Sequence, residues 1–187
     1  MEAVKVGEKI KSLRQDKAMS LQDLAARSGY STALLSQIEN HLISPSLGVL
    51  VNLAKAMEVS IGAFFGREET EPFTLIRKGE EHIVSRFASK EGVRYGYTYE
   101  SLGAGKKDRR MEPFIVTLEP ATIKNDKCYG HEGEEFIYVL EGKIDVTLGD
   151  HTDVLEEGDC IYYDSVIPHR VQCHGGQTAR ILAVVHP

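Results

Sequence analysis

Cysteine is scarce in this 187-residue chain: Cys128, Cys160 and Cys173 are odd in number and form no CxxC pair. They read as reduced thiols and exclude a disulfide framework. Long apolar runs are missing as well, and no stretch approaches the roughly 18 residues needed to cross a bilayer. The opening segment, MEAVKVGEKIKSLRQ, alternates charged and apolar residues and has no apolar signal region or cleavage site, so a cytoplasmic protein is expected. Positive charge is also short. The net charge is −6, which taken alone argues against a nucleic-acid partner. No internal repeat or low-complexity tract is evident. What remains is an ordinary globular composition, 42% hydrophobic and 27% charged, which excludes disorder and leaves room for one or two domains with their own cores.

Charge and composition both change near Gly66. Residues 1–66 carry seven Lys/Arg against six Asp/Glu, and five of the seven lie between Lys5 and Lys17. The remainder carries 15 against 22. A near-neutral module with a basic first helix tolerates a phosphate backbone, although the same charges also suit a solvated helix face. The segment Arg67–Pro72 (REETEP) is short, acidic and ended by proline, as expected of a linker. Beyond it, alternating β-branched and aromatic runs dominate: FTLIRK, VRYGYTY, FIVTLEP, FIYVLEGKIDVTL, CIYYDSV and RILAVV. These predict several short strands in a sandwich or barrel. The expected organisation is a helical domain over 1–66, a linker over 67–73 and a β domain over 74–187.

Five short helices are expected in the first module. One runs from about Val4 to Asp16 with Val6, Ile10 and Leu13 on one face. The others start after Ser20, Ser31, Ser46 and Ser60, and Ser20 with Asp23 has the capping-box spacing. Leu21 to Asn40 is the most specific stretch. Two helices meet through Ser28-Gly29-Tyr30, where Gly29 can take the positive φ of a tight turn and Ala25 allows close approach. Leu35 and Ile38 point inward, which leaves Ser31, Thr32, Ala33 and Gln37 outside. In a major groove, Gln pairs with adenine, and Thr or Ala touches the thymine methyl. A plain helical hairpin with solvated polar residues is the alternative.

The residues SLQDLAARSGYSTALLSQIEN and SPSLGVLVNLAKAMEVSIGAFF resemble the helix-turn-helix domain of the Cro/C1 (XRE) family of bacterial repressors, across about a third of the chain. The resemblance implies a five-helix, λ-repressor-like fold with the helix from Ser31 to Asn40 in the major groove. It implies base contacts from Thr32, Ala33 and Gln37 and phosphate contacts around Ser20, Ser31 and Asn40. Leu21 stands where many relatives place a backbone-contacting glutamine.

In the second module the informative segment is Tyr129-Gly-His-Glu-Gly-Glu-Glu135. His131 and Glu135 would lie ~13 Å apart on a straight strand, too far to share a metal. A bend at Gly133 would bring them together. With His169, in its turn-rich surroundings, they make two imidazoles and a carboxylate, a set suited to Fe(II), Zn, Mn or Ni. Histidines near turns are otherwise ordinary surface or core residues. Residues 130–187 resemble the cupin family of small β-barrels (double-stranded β-helix, jelly-roll). Glu135 and Gly142 keep the family's six-residue gap, His131 matches its second histidine, and Gly158 and His169 match its second motif. Tyr129 replaces the first histidine, Asp164 and Val166 replace a Pro and a Gly, and Cys173 replaces an Asn. The resemblance thus implies a three-ligand divalent metal site in a family that includes metal-free members.

Tyr95, Tyr97 and Tyr99 share one side of a period-two strand, next to Arg94. They would either orient an anionic or polar ligand together with Arg94 and Tyr129, or pack as a ladder against the barrel or a dimer face. Two functions follow. The first is a transcriptional regulator, a homodimer or higher oligomer on palindromic double-stranded DNA, with a cupin that senses a small-molecule effector, with or without metal. The second comes from RYGYTYESL and GHEGEEF, which resemble the iron-dependent hydroxypropylphosphonate epoxidase. That resemblance implies iron at the triad and Tyr97 and Tyr99 near a phosphonate, with Cys128 in place of a substrate-binding Asn. The fuller DNA-facing pattern favours the regulator, without a membrane partner and without catalytic residues.

Overall fold

The computed structural model describes residues 5–65, 71–78, 82–85, 96–120 and 127–187. Arg94, Tyr95 and most of the expected linker lie outside them. The helical part comprises α1 (Val6–Asp16), α2 (Leu21–Ser28), α3 (Thr32–Glu39) and α4 (Leu47–Ala56), followed by a 3-10 helix, Ile61–Phe65. Serine starts α2 and α3 as expected. The Asp23 N–H donates to Ser20 Oγ at 3.1 Å, and the Ser20 N–H donates back to the Asp23 carboxylate at 2.8 Å. The Ser31 hydroxyl accepts from the Leu34 N–H at 3.2 Å. Between these helices Gly29 takes φ +73° and its N–H closes onto the Ala25 carbonyl. A side chain would be strained at that angle.

The fifth α-helix expected after Ser60 is corrected to a 3-10 turn. The segment has five residues, and its Ala63 N–H bonds back three residues to Ser60. So short a piece cannot sustain an α ladder and takes the tighter hydrogen-bond pattern. Burial holds it in place, with Ile61, Phe64 and Phe65 all in the core.

The strands are β1 (His82–Ser85), β2 (Gly96–Ser101), β3 (Glu112–Glu119), β4 (Glu134–Glu141), β5 (Lys143–Leu148), β6 (His151–Glu156), β7 (Cys160–Asp164), β8 (His169–Cys173) and β9 (Ala179–His186). They form a six-stranded sheet, β1-β2-β3-β9-β4-β7, and a three-stranded sheet, β6-β5-β8. Every strand pair is antiparallel. Alternation places Phe114, Val116 and Leu118 of β3, Ile137 and Val139 of β4, and Ile181, Ala183 and Val185 of β9 inside. The run FTLIRK is a second correction. Residues 73–77 are in no strand, and Phe73 and Leu75 are exposed. Alternation shows that a segment can pair, but pairing needs a free sheet edge. Among the described residues, no helix is long and apolar enough to cross a membrane.

The core does not stop at the module boundary. Phe65 packs its ring 5.0 Å from that of Phe114 and 6.4 Å from that of Tyr99. This continuity seats the 3-10 helix against β2 and β3.

Candidate functional sites

Two groups of side chains carry chemistry, one on α3 and one between the sheets. On α3, Leu35 and Ile38 are buried against the helical core. Ser20, Ser31, Thr32, Ala33, Gln37 and Asn40 are all exposed. Thr32, Ala33, Ser36, Gln37 and Asn40 form one stripe at i, i+1, i+4, i+5 and i+8, the outward face of a short helix. The Asn40 amide donates to the Ser36 carbonyl at 2.8 Å, which trims the helix end.

The basic first helix is less available than its sequence implies. Arg14 is buried and clamps Glu39 of α3 in a fork, Nε to Oε1 at 2.6 Å and Nη2 to Oε2 at 2.9 Å, while Nη1 donates to the Met19 carbonyl at 2.7 Å. The hydrogen bond to Glu39, more than its charge, holds the guanidinium above its ordinary pKa. Lys5 pairs with Glu8 at 3.1 Å. Arg14 is therefore a structural cation that fixes α3 on α1.

The second group is His131, Glu135 and His169, whose donor atoms lie within 4.8 Å of one another. Glu135 is the second residue of β4 in the large sheet, and His169 opens β8 in the small one. His131 sits just ahead of β4, where its N–H donates to the Ser165 carbonyl at 2.8 Å. Gly133 makes the bend, with φ +90° and its α-carbon so close to β9 that a Cβ would stand 1.8 Å from the His186 carbonyl oxygen. All three side chains are buried.

The hydrogen bonds around these residues point in one direction. His131 Nδ1 lies 2.8 Å from the Glu132 carbonyl and His169 Nδ1 lies 2.8 Å from the Ile167 carbonyl. A carbonyl only accepts, so each Nδ1 carries the proton and each Nε2 presents a lone pair to the centre. Burial lowers the His169 pKa below the ordinary value, which favours the neutral, ligating form. The two Nε2 atoms stand 3.8 and 3.6 Å from Glu135 Oε2, too far to hydrogen bond. His131 Nε2 is buried with no hydrogen-bond partner. Tyr163 donates to Glu135 Oε2 at 3.0 Å and orients the carboxylate. Such a set fits a divalent cation: lone pairs converge on one point, and carbonyls hold the imidazoles from behind.

The tyrosines are placed differently from a simple ligand-orienting row. Tyr97 and Tyr99 stack at 6.1 Å. The Tyr97 hydroxyl donates to the Val171 carbonyl at 2.7 Å, and the Tyr99 hydroxyl donates to the Pro45 carbonyl at 2.8 Å. Burial pushes the Tyr97 phenol up to about 12 and the Tyr99 phenol well above its usual range. Tyr129 is tied to His169 by two backbone hydrogen bonds of 3.2 and 3.1 Å. Its ring meets that of Tyr30 edge-on at 5.2 Å, and it borders the same cavity as Glu135 and His169.

Those contacts belong to a junction between the modules. Ser44 Oγ donates to the Tyr97 carbonyl at 3.0 Å, and the Asn52 amide donates to the Gly130 carbonyl at 3.0 Å and to the Tyr30 hydroxyl at 2.9 Å. Lys55 reaches Glu132 at 2.6 Å. A cavity of about 920 Å³ lies there, bordered by Ser31, Leu34 and Gln37 on one side and by Tyr97, Glu135 and His169 on the other. Sequence reasoning passed over Gly48, Asn52, Tyr163 and the Arg14–Glu39 pair. None belongs to a spaced motif, and only their partners across the fold give them meaning.

Comparison with known proteins agrees with this architecture. The helix-turn-helix family matches residues 10–64 and the cupin domain family matches residues 114–185. The HTH-type transcriptional regulator PuuR of Escherichia coli (strain K12) is 26% identical over 186 residues, covering 100% of this chain and 97% of PuuR. The (S)-2-hydroxypropylphosphonic acid epoxidase of Streptomyces wedmorensis is 26% identical over 191 residues, covering 95% of this chain and 93% of the epoxidase. The crystal structure of an HTH_3 family transcriptional regulator from Vibrio cholerae shares the fold with a TM-score of 0.62, at 23% identity, over 98% of this chain and 95% of that one. Matched by both family models and similar to PuuR along its whole length, this chain belongs to the XRE-type helix-turn-helix regulators that carry a C-terminal cupin domain.

Proposed function

We propose that this protein is a sequence-specific DNA-binding transcriptional regulator whose cupin domain binds a divalent metal and senses a small-molecule effector. The observation that carries the reading is the α3 stripe: Thr32, Ala33 and Gln37 exposed together on a serine-capped helix behind a glycine turn. In a major groove, Gln37 reads adenine while Thr32 and Ala33 touch thymine methyls. Ser20, Ser31 and Asn40 flank that face and bind phosphates. The domain limits are taken as 1–66, 67–73 and 74–187. One such module offers a small interface, so a homodimer on a palindrome is the arrangement that reaches useful affinity.

In the cupin, His131 and His169 would hold the metal through Nε2 and Glu135 through a carboxylate oxygen. The bound ion would supply a Lewis-acidic anchor with open positions for an effector. The chain's own residues do the rest. Glu132 and Ile167 set the imidazole tautomers, Tyr163 orients the carboxylate, and the junction cavity receives the small molecule. The metal is Fe, Zn, Mn or Ni by donor chemistry.

The epoxidase relative represents the other use of this architecture, and the tyrosines argue against it here. In that use Tyr97 and Tyr99 would donate to a phosphonate, whereas here they donate to the Val171 and Pro45 carbonyls. The relatives named as regulators support a non-catalytic role.

The test is a mobility-shift assay with the DNA upstream of the protein's own gene, together with metal analysis of the purified protein. Preference for that DNA over random duplex, weakened by salt, is the expected result. Equal affinity for both would refute the regulator. Retention of metal by His131→Ala would refute the assigned ligands.

A further inference from the structure

We propose that the helix-turn-helix module is the lid of the His131–Glu135–His169 site, with Gly48 at the point of closure, so that metal occupancy and docking of the DNA-reading module are linked. The inference rests on the metal-binding reading above and adds what that reading leaves open: how the cupin would reach the DNA-binding helix.

Gly48 is the second residue of α4, and its backbone lies directly on the triad. A Cβ at position 48 would stand 3.0 Å from His131 Cδ2, 3.5 Å from His131 Nε2 and 3.6 Å from His169 Nε2. The second of these atoms is the buried nitrogen with no hydrogen-bond partner. Any side chain at 48 larger than a methyl group would enter the space where a bound ion's remaining ligands belong. Ser46 stands at the N-cap but makes no capping bond, unlike Ser20 and Ser31. The first turn of α4 therefore faces the cavity with its N–H groups uncapped by that side chain. Those groups and the helix dipole favour negative charge on an occupant of the site.

The lid is held by a ring of bonds. Tyr99 to Pro45 and Ser44 to Tyr97 fix the chain just before α4. Asn52 to Gly130 fixes its middle, and Lys55 to Glu132 fixes its end. Gly130 and Glu132 flank His131, so α4 is bonded to both neighbours of a metal ligand. On the other side of the cavity stand Ser31, Leu34 and Gln37 of the α3 segment. A shift of the triad loop on metal binding is thereby a shift of the support under α3. Linkage requires the effect to be reciprocal: if metal changes DNA affinity, DNA changes metal affinity by the same factor.

The experiment uses the full-length protein and the metal alone as probe. Zn(II) or Mn(II) affinity is measured by calorimetric titration with and without the upstream DNA, and DNA affinity is measured with metal and with chelator. The expected result is a coupling factor of about fivefold or more, equal in both directions. Gly48→Leu should weaken metal binding at least tenfold. Asn52→Ala removes the bonds to Gly130 and Tyr30 without altering a ligand side chain, and should reduce the coupling factor towards one. Circular dichroism and melting curves establish that each variant is folded. If Gly48→Leu fails to fold, Asn52→Ala carries the test, with amide exchange at residues 46–50 as a second readout; that exchange should slow on metal addition in the unsubstituted protein. A coupling factor of one in the unsubstituted protein, or unchanged metal affinity in folded Gly48→Leu, overturns the lid and leaves the metal site standing. Absence of metal binding by the unsubstituted protein overturns both.

Discussion

Gly48 of the helical module lies against His131 of the β domain, so close that even a Cβ there would stand 3.0 Å from the imidazole. A glycine within LGVLVNLAKA that no motif marks thus packs tightly on a site about 80 residues away in the chain. The same contact puts both candidate activities, groove reading and ion binding, on one mechanical unit. The predictions below probe its parts separately.

Gln37→Ala removes the α3 side chain proposed to pair with an adenine edge through two hydrogen bonds. Discrimination between the preferred duplex and random DNA should fall by about 1–3 kcal/mol, with little change in non-specific affinity. Competition mobility-shift assays at fixed salt measure both. Equal loss on both duplexes would make Gln37 a backbone contact.

Glu39→Gln leaves a buried guanidinium without its counter-charge, since Arg14 and Glu39 form a two-bond fork inside the α1–α3 packing. Breaking one partner of such a pair costs about 3 kcal/mol. Denaturant unfolding should show this loss, and DNA affinity should fall with it because α3 loses its support. A change under 1 kcal/mol would mean that the fork is loosely held.

Gly133→Ala is expected to be the most damaging single methyl in the β domain. The backbone there has φ +90°, and the added carbon would stand 1.8 Å from a β9 carbonyl. Position and angle both resist it, so His131 must move away from Glu135. A loss of about 4 kcal/mol or more is expected, with metal binding abolished. A folded Gly133→Ala protein that still binds metal would show that the bend is not what assembles the triad.

Alkaline pH should destabilise the protein through its buried phenols. Tyr97 is raised to about 12, and Tyr99 and Tyr163 are raised as well, in each case chiefly by burial. An acid whose folded pKa exceeds the unfolded value of about 10 retains its proton longer in the folded state. Stability is therefore undiminished below pH 10 and declines as pH rises from there towards 12. Absorbance at 295 nm should show these tyrosines titrating only with unfolding. Tyrosinate formation at all eight positions while the fold persists would contradict the burial.

Much of the architecture was legible in one dimension because its signals are local. Ser20 and Asp23 cap α2, Gly29 turns the chain, and Leu35 with Ile38 choose the inner face of α3. All of these act within a few residues of one another. His131, Glu135 and His169 were legible as well, since a glycine between the first two announces the bend and the cupin spacing singles out the third. The 3-10 turn at Ile61–Phe65 and the run after Phe73, which is in no strand, depart from the sequence expectation for a shared reason. Capping and alternation say what a segment can become, whereas its length and the sheet edges around it say what it becomes.

The order of residues was enough for the two modules, the outward stripe of α3 and the identities of the three candidate ligands, because periodicity and motif spacing are properties of neighbouring positions. The partners of those residues came from folding. Arg14 reads as one charge of a basic helix, facing phosphate or solvent, until Glu39 buries it. Tyr99 reads as either a ligand donor or a rung of a packing ladder until Pro45 takes its hydrogen, and Gly48 carries no sequence signal until His131 lies beneath it. Each is a contact across at least 25 residues of chain, where no local pattern records which atoms will meet and only the packing of two cores against each other brings them within reach.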